Sequence, residues 1–181
     1  MNFAAVLQAV RSGEDSAWRA LYEDLSPALL GYFRARHAAQ PEDLLGEVML
    51  QIVRDLQTFG GGKREFRAWA FTIAHHRLLD ERRRYGRRPL ETVPPHEIER
   101  LGPRGVAEDD GVRALSAERV GRLLAKLSTN QQSVILLRVL GDLTCEEVAQ
   151  VTGKTPGAVK QLQRRGFETI KAELESERVT I

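Results

Sequence analysis

The stretch from Leu143 to Arg165 constrains the fold more than any other part of the chain, because it is punctuated as a helix, a tight turn and a second helix. Thr144 and Glu147 stand three apart, the spacing of a capping box, in which hydroxyl and carboxylate each satisfy a backbone N–H at the helix start. Val148, Ala149 and Val151 supply an apolar side. Gly153 marks the break between the helices, where a left-handed backbone costs glycine little. Thr155 caps the second helix, and Pro156 takes its first position, where a missing N–H is harmless. Val159, Leu162 and Ile170 share one face, which leaves Lys160, Gln161, Gln163 and Arg164 outward. Amides there can bond adenine edges, and Arg or Lys can bond guanine or phosphate, as major-groove reading requires. The alternative is a surface hairpin with a solvated charged face.

The bulk numbers fit such a chain. At 181 residues it holds one or two small domains, and 42% apolar residues can fill packed cores. The formal net charge is only +2, so any grip on nucleic acid must come from local basic surfaces. Cys145 is the only cysteine, which excludes an intramolecular disulfide framework and a cysteine metal cage. It reads as a small half-buried residue rather than a redox sensor. The start, from Met1 to Leu7, lacks the basic region of a signal peptide. No apolar run approaches the ~20 residues that span a bilayer. The expectation is a cytoplasmic protein without membrane insertion.

Helical periodicity dominates, with no convincing alternating strand. Phe3 to about Ser12 reads as a short amphipathic helix. Glu14 to Ala35 carries Trp18, Leu21, Leu25, Leu29, Leu30 and Phe33 at helical spacing, with Pro27 inside. That proline either kinks the helix or starts a new one after Ser26. Pro41 opens the next helix, with Leu44, Leu45, Val48, Ile52, Val53 and Leu56 as its core stripe, and Gly60 to Gly62 end it. Phe66 to Arg83 follows, with Trp69, Ile73 and Leu78 inward. From Gly86 to about Leu115, prolines, glycines and an acidic cluster show no period, as in an inter-domain linker. Helices resume near Ser116. Ser128 caps one that runs through Leu140, the helix-turn-helix follows, and the chain frays after Leu174. The expected architecture is all-α: two small helical domains on a flexible tether, without internal repeats.

Two more clusters bear on function. Arg67, Arg77, Arg82, Arg83, Arg84, Arg87 and Arg88 interleave with Phe66, Trp69, Phe71 and Tyr85. Cations grip phosphates, and exposed aromatics hold unstacked bases; the alternative is an amphipathic helix whose aromatics are core. The helix from Pro41 to Arg54 is acidic, and Asp43 and Glu47 share one face. Helix-start acids are favoured by the dipole, and a protein-docking face is a second reading. His75 and His76 point about 100° apart on a helix, so they do not chelate one ion. Gly60 to Gly62 lack the Lys-Ser/Thr of a phosphate loop, and no nucleophile motif appears. The residues suggest no enzyme.

Together these segments resemble an extracytoplasmic-function sigma factor of the bacterial sigma-70 family. The resemblance rests on Pro41 to Leu50, Phe66 to Asp80, Leu127 to Thr144 and the helix-turn-helix, in the family's order, with a linker in the family's place. It implies region 2 over residues 1–88, a linker over 89–115 and region 4 over 116–178. It implies that Asp43, Glu47, Gln51 and Arg54 dock on the core RNA polymerase. Phe59, Phe66, Arg67, Trp69, His76, Arg77, Arg83 and Arg84 would bind the −10 element, the loop from Phe59 to Glu65 capturing a flipped base. Thr155, Pro156, Gly157, Lys160, Gln161 and Arg164 would read the −35 element. The family often carries Asn where this chain has His76, and Gln where it has Gly46. The implied partners are polymerase core, promoter DNA and an anti-sigma factor, with no cofactor. A free-standing two-domain regulator, and an RNA-binding protein or helical nucleic-acid enzyme, for which no catalytic constellation is present, are the alternative classes. The Arg/aromatic and acidic helices disfavour the first, since a sensor needs neither.

Overall fold

Pro27 leaves its helix intact. In the computed structural model, which describes residues 3–85 and 110–179, α1 is Phe3–Arg11 and α2 runs unbroken over Asp15–Ala35. Pro27 is exposed, so the carbonyl it leaves without a donor faces water, while Leu21, Leu25, Leu29, Tyr32 and Phe33 bury the opposite stripe. His37, in the left-handed region at φ 53°, closes the helix, and the Ala38 N–H donates to the Phe33 carbonyl at 3.0 Å. α3 is Pro41–Asp55, extended by a 3₁₀ turn, Leu56–Thr58, and α4 is Lys63–Tyr85. α2, α3 and α4 pack together around Leu29, Tyr32, Val48, Ile52, Phe71 and Leu78, and α1 covers one side with Leu7 and Val10.

The second half contains α5 (Asp110–Ala125), α6 (Thr129–Val139), α7 (Cys145–Thr152) and α8 (Pro156–Val179). Ser128 caps α6 with a full capping box through Gln131. α6, α7 and α8 enclose Val134, Leu137, Leu143, Val148 and Val159. Gly166 of α8 lies so close to α6 that a Cβ there would come within 2.5 Å of Ile135 Cδ1. No strand occurs among the described residues.

Four expectations change. α5 begins at Asp110, before Ser116, and α8 continues to Val179 instead of fraying after Leu174. α4 is longer at both ends than Phe66 to Arg83. Val53 leaves the core stripe of α3 and is 47% exposed. Most of the linker expected over 89–115 lies outside the described residues. The two helical domains are nevertheless packed against each other, α4 on α7 and α2 on α6.

Candidate nucleic-acid and polymerase interface

The outer face of α3 is built by its period. At about 100° per residue, Leu44, Leu45, Val48, Ile52 and Leu56 point inward. Asp43, Leu50 and Arg54 fall on the opposite side, with Glu47 and Val53 at its edges. Leu50 is 58% exposed, so the face is an apolar patch rimmed by charge, the composition of a docking surface. Leu50 escaped the sequence reading, although its place off the inward stripe was visible there. α4 reaches this face through Arg77, whose Nη2 donates to Gln51 Oε1 at 2.8 Å and whose Nη1 lies 3.5 Å from Glu47 Oε2. Glu81, a buried carboxylate on α4, accepts the N–H groups of Ala39 and Gln40 at 3.3 Å each. It thereby caps α3 from outside, where the helix dipole favours a negative charge. Arg84 and Tyr85 line a cleft with Asp43 and Glu47, so the end of the arginine-rich helix borders the outer face of α3.

The loop before α4 carries an aromatic stack. Phe59 lies flat on Trp69, with centroids 5.2 Å apart and 24° between planes, and meets Phe66 edge-on at 5.4 Å. Phe66 is only 2% exposed and packs against Phe3 of α1 at 5.4 Å. It therefore supports the stack from below, and Phe59 and Trp69, both half-buried, are the rings nearer solvent. Arg11 of α1 donates to the carbonyls of Leu56 (3.2 Å) and Phe59, fixing the loop. A Cβ on Gly61 would lie 2.7 Å from both Glu65 Cβ and Phe59 Cζ, so only glycine fits that turn.

Along α4, His76 is exposed and its neighbour His75 is buried. His75 Nδ1 is hydrogen-bonded to the Tyr32 hydroxyl at 2.7 Å. Burial first, then the cations Arg36, His76, Arg82 and Lys154, push the imidazole down to about 4. Burial pushes the Tyr32 phenol up to about 12. Arg83 pairs with Asp80 at 3.2 Å on the surface. Arg67 faces the other domain: its Nε donates to the Gly141 carbonyl at 2.8 Å and its Nη2 to the Leu140 carbonyl at 2.7 Å.

The helix-turn-helix follows its sequence signals. The Thr144 hydroxyl accepts the Glu147 N–H at 3.1 Å, and Glu147 accepts the Thr144 N–H at 2.6 Å. Gly153 is left-handed at φ 66°, and the Thr155 hydroxyl accepts the Ala158 N–H at 3.2 Å. Thr155, Pro156, Gly157, Lys160, Gln161 and Arg164 are all exposed on the first turns of α8. Lys160 and Arg164 are held only by surface pairs with Glu146 (3.7 Å) and Glu168 (2.8 Å), which are weak and easily exchanged for phosphate. No helix among the described residues is long and apolar enough to cross a membrane.

The family model of Sigma-70 region 2 matches residues 21–88, and that of Sigma-70, region 4 matches residues 117–170. The chain is 32% identical over 180 residues to the ECF RNA polymerase sigma factor SigD of Mycobacterium tuberculosis, covering 94% of this chain and 82% of that one. It is also 32% identical over 181 residues to the ECF RNA polymerase sigma factor ShbA of Streptomyces griseus, covering 93% of each. Its fold resembles that of CnrH, solved in complex with the cytosolic domain of CnrY, with TM-score 0.66 and 22% identity over 96% of this chain and 97% of that one. With both family models matched and these relatives, the chain, which sets an acidic helix beside an arginine-rich one ahead of a capped helix-turn-helix, belongs to the ECF sigma factors of the sigma-70 family.

Proposed function

We propose that the chain divides the work of promoter recognition among three surfaces, a residue-level reading of the sigma-factor role. A sigma factor catalyses no bond chemistry; it binds the RNA polymerase core and directs initiation at promoters. In this reading residues 1–88 act as region 2, 89–115 as the linker and 116–178 as region 4. The outer face of α3, with Asp43, Glu47, Leu50, Gln51 and Arg54, docks on the polymerase. The Phe59 and Trp69 rings, with Phe66 beneath them, hold an unstacked base of the −10 element. Arg67, His76, Arg77, Arg83 and Arg84 follow the strand. Unpairing a base costs a few kcal/mol, so a site that holds the flipped base selects sequence while it promotes opening. Thr155, Pro156, Gly157, Lys160, Gln161 and Arg164 enter the −35 major groove.

The observation that carries this reading is the exposure of those six positions on one turn-helix corner of a capped helix-turn-helix. In vitro transcription on fragmented native DNA, with polymerase core and with or without the chain, tests it. Discrete starts that depend on the chain support it. Duplex binding without initiation points instead to a free-standing regulator.

The protein works where the polymerase is, in the cytoplasm. An anti-sigma factor completes the proposal, supported by the fold shared with CnrH, itself solved with the cytosolic domain of CnrY. A pull-down from unstressed native cells that recovers polymerase alone would count against that partner.

A further inference from the structure

Arg36, at the end of α2, is 0% exposed, and only one nitrogen of its guanidinium is hydrogen-bonded. Its Nη1 donates to the Thr129 carbonyl at 2.8 Å and to Gln132 Oε1 at 3.3 Å, both on the first turn of α6. Gln132 is itself fixed, since its Nε2 donates to the Leu124 and Leu127 carbonyls at 2.8 and 3.2 Å. The guanidinium is thus held in place through Nη1. Its Nε and Nη2 have no hydrogen-bond partner among the described residues. Those two nitrogens form the side-on edge of the fork, whose N–H bonds run parallel and match two oxygens of one acceptor.

The charge around that edge is unbalanced. Burial lowers the Arg36 pKa, the Tyr32 phenol raises it and Arg82 lowers it again; no carboxylate stands among these groups. Tyr32 is neutral and bonds its hydroxyl to His75. Arg82 donates through Nη2 to the Arg36 carbonyl, which brings a second guanidinium to the same helix end. Glu81, the buried carboxylate of α4, turns its oxygens to the Ala39 and Gln40 N–H groups instead. The first turn of α6 adds the positive end of its dipole. An arginine stays charged even here, and a buried cation without a counter-charge is costly, the more so with two unmet donors.

We infer that the Nε–Nη2 edge of Arg36 is a binding site for one small tetrahedral oxyanion, inorganic phosphate by its chemistry, held where α2 meets α6 with Arg82 as the second positive charge. Two oxygens of such an ion span the fork, which a spherical halide does not. Water would meet the donors and leave the charge uncompensated. The enclosure of Arg36 excludes a bulky organic phosphate. It also makes the ion a ligand of the folded chain alone, so that the fold gains stability with ion concentration. The site shares no residue with the surfaces assigned to polymerase, the −10 element or the −35 element, and it stands or falls apart from them.

The test follows thermal unfolding of the full chain at neutral pH and fixed ionic strength while potassium phosphate replaces potassium chloride in the low millimolar range. Calorimetric titration with phosphate runs beside it. The unfolding midpoint is expected to rise and saturate, by about 5–10 °C at roughly a hundredfold excess over Kd. Arg36→Lys keeps a cation that reaches for the Thr129 carbonyl but has no fork, and is expected to bind phosphate roughly tenfold more weakly or worse. Arg36→Met is expected to abolish the response, and where that variant does not fold, Arg36→Lys decides. Arg119→Met, which removes a surface arginine paired with Glu177 at 2.8 Å, is expected to keep the full response. Three results overturn the inference. The first is a wild-type midpoint indifferent to phosphate. The second is a rise that chloride matches at equal ionic strength. The third is a phosphate affinity undiminished in Arg36→Lys, which would place the ion elsewhere on the chain.

Discussion

The Tyr32 hydroxyl and His75 Nδ1 lie 2.7 Å apart, buried between α2 and α4, and both groups are held neutral by their surroundings. An imidazolium there would face Arg36, Arg82, His76 and Lys154, with no carboxylate among the groups that shift it.

That environment predicts an acid-labile core. The folded imidazole titrates near 4 and the unfolded one near 6.5, so the unfolded chain binds more protons between those values. The stability is fully present above pH 6.5 and is lost as pH falls toward 4. At ~1.4 kcal/mol per pH unit, the loss attributable to His75 approaches ~3 kcal/mol. Urea midpoints of wild type and His75→Gln at pH 7.5 and pH 5 check this: the variant starts lower and changes less. Parallel pH profiles would refute it.

Glu81→Gln is expected to cost about 1–2 kcal/mol, because a buried carboxylate accepting two N–H groups becomes an amide with one acceptor oxygen. The loss should appear in urea unfolding. Affinity for polymerase core should fall in the same variant, since Ala39 and Gln40 set the entry of α3 and with it the Asp43 face.

Gly141→Ala is expected to cost about 2 kcal/mol through overpacking, because its Cβ would lie 2.5 Å from the Leu137 carbonyl oxygen. Backbone does not move aside as a side-chain end does. Thermal unfolding reads the loss. A variant as stable as wild type would mean that the turn after α6 relaxes freely.

On the −35 side, the two outward polar residues should fail differently. If Gln161 reads a base edge, Gln161→Ala should relax preference at one base pair, at about 1–3 kcal/mol. If Arg164 holds phosphate, Arg164→Ala should weaken all duplexes alike and reduce the salt slope by about 0.9. Quantitative binding to a set of single-base promoter variants separates the two patterns.

The caps and turns of the second domain were legible because their signals are local, whereas the start of α5 and the end of α8 carry no such signal. Ser128, Thr144 with Glu147, Gly153 and Thr155 with Pro156 each act within four residues of themselves, and each cap or turn stands where its residues put it. Pro27 was ambiguous because the burial of Leu25, Leu29 and Phe33 that carries the helix through it depends on other helices. Phe66 looked like a base-holding aromatic, and only α1 folding back with Phe3 makes it an underlayer. The domain interface left no trace in the sequence: Arg36 and Arg67 meet carbonyls 93 and 74 positions away, and a backbone carbonyl has no residue code to search for.

Arg77 joins Glu47 and Gln51 of α3 to the helix that carries the arginine cluster. If the outer face of α3 docks on the polymerase, as proposed, sequence drift there is therefore not private to docking. A substitution at Gln51 removes one of the two α3 partners of Arg77, so if Gln51 contacts the polymerase, as proposed, it changes two traits at once. Lineages that alter one position should alter the other in step, and a graft of α3 alone between relatives should lose activity that a joint graft of α3 and α4 retains.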